Sequence, residues 1–160
     1  MNIENIKKLL SSIPMLEETL QNCNFIVDNE ITGVVTDGKD VYYNPKFMEN
    51  KSSEQQAFAV ANALCHIKFD HIKMSLDKEK VLWNIATDAV INEQLMNEGL
   101  ERVEECIFIP GASNYTEGEL YEYLLEQKNK MRVSEPWDGK MYAKFMSEIS
   151  LDELNSKKTK

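Results

Sequence analysis

Apolar residues recur every three to four positions through Ile3, Ile6, Leu9, Leu10, Ile13, Leu16 and Leu20, which places them on one face of a helix over residues 3–22. Pro14 falls inside that run. It has no amide hydrogen to donate and crowds the preceding turn, so the helix is expected to kink or split there. At Phe25 to Val27 a β region begins. Val34-Val35-Thr36 and Val41-Tyr42-Tyr43 flank Asp37-Gly38, a pair that tolerates the positive φ of a two-residue turn; together they predict a hairpin at 34–43. Asn44-Pro45 then closes the strand.

The rest of the chain reads mostly as helix. Ser52 or Ser53 offers a hydroxyl cap to a helix running to about residue 74. Asp77 is the expected cap of a third helix ending near Asn97, with Gly99 in the left-handed position beyond it. Thr116 and Glu119 form a capping box that opens a helix through Leu120, Tyr123 and Leu124. After Pro136-Trp137-Asp138-Gly139 a short helix is expected over 141–149, and 156–160 read as a frayed tail. Trp137 is either a surface anchor or locally packed. The order of helix, small antiparallel sheet and further helices predicts an α+β fold. The main domain is expected at 1–130, with a C-terminal extension at 131–160.

Chemistry concentrates on two of these helices. Asn62 and His66 are four residues apart and share a helix face. His71 is five past His66, roughly 140° round an ideal helix, so it joins them only if the helix ends or bends first. On the following helix Asn84, Asp88 and Asn92 form a polar stripe among Ile85, Ala86, Ala89, Val90 and Ile91. A carboxylate buried there needs a partner. His66 is the obvious candidate. Two readings follow: His66 and Asp88 as a hydrogen-bonded pair joining two helices, or a metal site built from His66, Asp88 and a third group drawn from His71, Asp70 and Cys65.

Composition narrows the classes. The 160 residues are 42% hydrophobic and 28% charged, enough for one sizeable core. A net charge of −9 disfavours sequence-independent binding to nucleic-acid phosphates, so direct nucleic-acid binding is not expected; docking onto a basic partner surface is permitted. No apolar run approaches the ~18 residues of a membrane span, and the N-terminus lacks the layout of a signal peptide. A cytoplasmic protein is therefore expected. Cys23, Cys65 and Cys106 form no CxxC pair and read as free thiols.

Residues 36–47 (Thr-Asp-Gly-Lys-Asp-Val-Tyr-Tyr-Asn-Pro-Lys-Phe), 61–71, 83–92 and 116–125 together resemble the bacterial metallopeptidase-like domain often found preceding a von Willebrand factor A-like domain. The shared pattern runs Thr-Asp-Gly, Tyr-Asn-Pro, His-Glu-x-x-His with a further His, then Trp-Asn-x-Ala-x-Asp-x-x-Ile-Asn. The resemblance implies a zincin-like fold whose sheet edge accepts an extended peptide. It assigns His66 as the second zinc ligand, Asp88 as the carboxylate ligand and His71 as the further His. Asn62 stands where the first ligand belongs and Ala63 where the general base belongs, so the motif is degenerate.

The leading expectation is a catalytically inactive metallopeptidase-like domain that acts as a protein-binding, regulatory or inhibitory module, with no cofactor or only residual zinc. Its partner would be a protein or an extended peptide. One alternative is a metal-dependent hydrolase with a rearranged zinc site and a replacement base from Glu54, Asp70 or Asp88. Another is an acidic nucleic-acid mimic that inhibits a basic partner.

Overall fold

The computed structural model describes residues 2–133, 136–152, 154 and 155. The N-terminal apolar stripe forms helix α1 (Ile3–Leu10), a 3-10 turn over Pro14–Leu16 and helix α2 (Glu17–Asn22). Pro14 splits the run by occupying the first position of the turn, where no amide hydrogen is needed.

Three short strands follow: β1 (Phe25–Val27), β2 (Val34–Thr36) and β3 (Val41–Tyr43). The sheet order is β1-β3-β2. β2 and β3 are antiparallel, as the hairpin predicts, but β1 runs parallel to β3, so the sheet is mixed where an antiparallel one is expected. The reason lies in the loop over 28–33, which crosses the end of β3. Asp28 N donates to Tyr43 O (2.9 Å), Asn44 N to Gly33 O (3.0 Å) and Asn44 Nδ2 to Ile31 O (2.8 Å). The hairpin loop also differs from expectation. It has four residues, because Asp37 Oδ1 accepts from Lys39 N (2.9 Å) and Asp40 N (2.8 Å) and folds the loop around its own side chain.

Asn44 caps an unpredicted helix, α3 (Pro45–Glu49). Helix α4 (Ser53–Lys68) opens with a capping box between Ser52 and Gln55. It ends six residues short of the expected 74. Phe69 closes it, Asp70 turns into the left-handed region at φ 59°, and α5 (His71–Met74) starts in a new direction. Helix α6 (Lys80–Asn97) is capped by Glu79, which accepts from Val81 N and Leu82 N, and not by Asp77, which lies in the preceding 3-10 turn. Gly99 takes its left-handed position at φ 97°. Helix α7 (Glu117–Lys130) has the predicted capping box, and α8 (Gly139–Glu148) is capped by Asp138. The tail at 156–160 lies outside the described residues.

Two cores meet on α6. In the first, Ile6, Leu10, Ile13 and Leu16 pack on Phe58, Ala61 and Leu64 of α4, with Val41, Ile91 and Leu95. In the second, Leu82, Ala86 and Val90 of α6 pack on Leu120 and Leu124 of α7 and Phe145 of α8. Trp137 is buried in this second core against Tyr142 and Phe145, so its role is packing. Each such large side chain contributes roughly 1.5–3 kcal/mol by leaving water. α6 buries apolar residues on two sides because it walls both cores, and keeps its polar stripe between them. The arrangement is α+β. Among the described residues, no helix is long and apolar enough to cross a membrane.

Candidate functional site

α4 and α6 pack side by side, and four of their polar side chains, Asn62, His66, Asp88 and Asn92, meet at the seam between them. His66 Nε2 lies 2.7 Å from Asp88 Oδ1. Asn62 Nδ2 donates to the same Asp88 oxygen at 3.0 Å and to Asn92 Oδ1 at 2.8 Å. Asn92 Nδ2 in turn donates to Ile107 O at 2.8 Å. That last bond fixes the amide orientations. With its nitrogen committed to a carbonyl, Asn92 presents oxygen to Asn62, and Asn62 must answer with nitrogen. Among the described residues no buried side-chain nitrogen or oxygen lacks a partner. Among the described residues Asn62 Oδ1 and Asp88 Oδ2 have no hydrogen-bond partner, so both reach solvent, in residues that line the cleft.

The break at Asp70 turns His71 back toward His66. Their Nδ1 atoms are 3.1 Å apart, and one hydrogen sits between them. When the Nε2 hydrogen of His66 is committed to Asp88, a neutral His66 accepts at Nδ1 and His71 donates. His71 is 3% exposed, enclosed by the rings of Phe69 and Trp83, and Trp83 Nε1 donates to its carbonyl at 2.9 Å. Burial, reinforced by the neighbouring His66 and opposed by Asp88, pushes its pKa down to about 4. Its Nε2 faces Glu117 Oε1 at 3.8 Å. Glu117 and Asn92 were missed as site residues by sequence reasoning. Asn92 was visible in the polar stripe of α6, but Glu117 offers only its place in a capping box on a helix far along the chain.

Of the three residues that the resemblance assigns to a metal, His66 and Asp88 therefore meet directly. His71 contacts His66 through the nitrogen turned away from Asp88. Four-coordinate zinc holds its ligands at about 2.0–2.2 Å and so sets them roughly 3.3 Å apart, further than His66 and Asp88 stand here. Asn62 turns its amide nitrogen, which has no lone pair for a metal, to Asp88 and Asn92, and leaves only a neutral amide oxygen open. Cys65 is buried in the first core, where burial raises its thiol pKa to about 12. Asp70 is exposed at the head of α5, and Glu54 is exposed in the first turn of α4. Ala63 supplies no carboxylate. Among the described residues, no three His, Cys, Asp or Glu side chains are arranged to hold a metal ion. As the side chains stand, this donor set does not fit a catalytic zinc centre with three protein ligands.

The cleft itself is well formed. A cavity of about 250 Å³ lies between β2 and the two helices, lined by Val34, Thr36, Asn62, Ala63, His66 and Asp88 among others. β2 is an edge strand. The Gly33–Asn44 pair is hydrogen-bonded, and bonded pairs alternate along antiparallel strands, so Val34 and Thr36 turn their peptide groups away from β3. Those groups bond to no other described residue. They form an open backbone edge beside the polar seam.

No curated protein and no solved structure matches the chain. A family model does match it over residues 3–148, nearly its whole length, and the chain belongs to that family, described as "Putative metallopeptidase domain".

Proposed function

We propose that this chain is a catalytically inactive member of the metallopeptidase-like family, retained as a protein-binding module of regulatory or inhibitory kind. The observation that carries this reading is the double hydrogen bond of the Asn62 amide to Asp88 and Asn92. It occupies with a donor the place where a zincin-like site would hold its first metal ligand. Ala63 leaves the site without the base that a hydrolytic water needs, a contribution typically worth 10²–10⁴-fold. What remains useful is the cleft, with an open strand edge on one side and a polar seam on the other. Such an edge binds an extended segment by adding it as a further strand.

Zinc content and peptidase activity test this reading, measured on the native chain, on His66→Ala and on the double variant Asn62→His/Ala63→Glu. The native chain is expected to keep well under one zinc per molecule after dialysis and to cleave no peptide. The double variant is expected to gain about one zinc. Stoichiometric zinc in the native chain, lost in His66→Ala and accompanied by chelator-sensitive hydrolysis, would favour the metal-dependent hydrolase instead.

A further inference from the structure

Beside Gly33 and Val34 the cleft opens into a recess of about 340 Å³. That is at the small end of ligand sites, which run from roughly 300 to 1,000 Å³, and it suits one side chain better than a whole small molecule. Phe47, Phe58, Val103 and Ile107 give it apolar sides, and Asn62 and Asp88 stand at its junction with the cleft. Its charged lining residues are Asp88 and Glu105, and Glu105 is already paired with Lys51 at 2.7 Å. Among the described residues no lysine or arginine lines it. The hydrogen-bonding atoms left open by Asn62 and Asp88 are both acceptors, Asn62 Oδ1 and Asp88 Oδ2.

An occupant must satisfy this chemistry. A purely apolar side chain would cover Asp88 Oδ2 and Asn62 Oδ1 without pairing them, which is costly. An acidic one would meet like charge. A long side chain with an apolar stem and a cationic head answers both parts of the lining. The backbone supplies the means of delivery. An extended segment paired with the free edge of β2 turns every second side chain to the face that bears Val34 and Thr36. The residue beside Val34 then points into the recess.

We propose that the recess takes a lysine or arginine side chain from an extended segment added to β2, with its ammonium or guanidinium on Asp88 Oδ2 and Asn62 Oδ1. This rests on the binding-module reading and names what the module recognises. The net charge of −9 favours the approach of such a basic segment.

Calorimetric titration of the native chain with capped five-residue peptides of alternating valine and threonine, differing only at the central residue, tests it. Lysine and arginine peptides are expected to bind. Norleucine, which keeps the stem and removes the charge, should bind about tenfold more weakly, as befits a lost charged hydrogen bond, and glutamate more weakly still. The difference should shrink as salt is raised, and Asp88→Asn should abolish the preference for lysine over norleucine. If that variant does not fold, the peptide series on the native chain decides alone. Norleucine binding as tightly as lysine would overturn the assignment of a basic side chain while leaving strand addition standing. Failure of every peptide to bind would overturn strand addition itself, and this inference with it.

Discussion

Asn62 places one nitrogen between two acceptors, and both depend on it. Asp88 Oδ1 keeps a second partner in His66, whereas Asn92 Oδ1 has Asn62 alone among the described residues. Asn62→Leu matches the side chain in size and removes the donor. Leaving a buried acceptor unpaired costs roughly 1–3 kcal/mol, so this variant should lower the urea midpoint with an unchanged slope. An unchanged midpoint would mean that the Asn62 bonds are not part of what holds α4 to α6. The same residue marks the limit of what the sequence reveals. The spacing of Asn62, His66 and Asp88 is enough to bring them together. That Asn62 donates to Asp88 and Asn92 is set by Ile107 O, a backbone group in a loop without periodic signal. Nothing local announces it.

Elements show the same division between local and distant causes. The serine cap of α4, the capping box at Thr116 and the left-handed Gly99 were legible because each is written in a few consecutive residues. The parallel pairing of β1 with β3 was not, because it depends on strands separated by β2 and two loops. The end of α4 lies between these cases. His71 reaches His66 only because Asp70 adopts φ 59°, a conformation that side chains other than glycine enter at a cost. The sequence 69–71 has no glycine or proline to flag the break. Asp70→Gly should therefore stabilise the fold, or leave it unchanged, by 0 to ~1 kcal/mol, since relief of strain is offset by a freer unfolded chain. Asp70→Val should destabilise it by about 1–2 kcal/mol, because a branched side chain is poorly tolerated there. Thermal melts of the two variants provide the check. A valine variant as stable as the native chain would show that α4 and α5 can be joined by another backbone path.

At the scale of the whole molecule, the seam between the two cores should make stability depend on pH. His71 is 3% exposed and its pKa is pushed down to about 4, whereas an unfolded histidine titrates near 6.5. Between those values the unfolded chain holds a proton that the folded chain rejects. Stability consequently rises with pH across that window and is lost as pH falls from about 6.5 towards 4. A shift of this size corresponds to about 3 kcal/mol between the ends of the window. Carboxylates elsewhere also titrate there, so the informative quantity is a difference between two proteins. His71→Gln removes the titrating ring yet leaves the backbone carbonyl that Trp83 binds. Urea unfolding at pH 7.5 and pH 5 should show the native chain losing about 2 kcal/mol more than the variant. Equal losses would mean that His71 keeps its ordinary affinity for protons in the folded protein. Burial between Phe69 and Trp83 would then not control its charge, and acid would leave the contact between α5 and α6 intact.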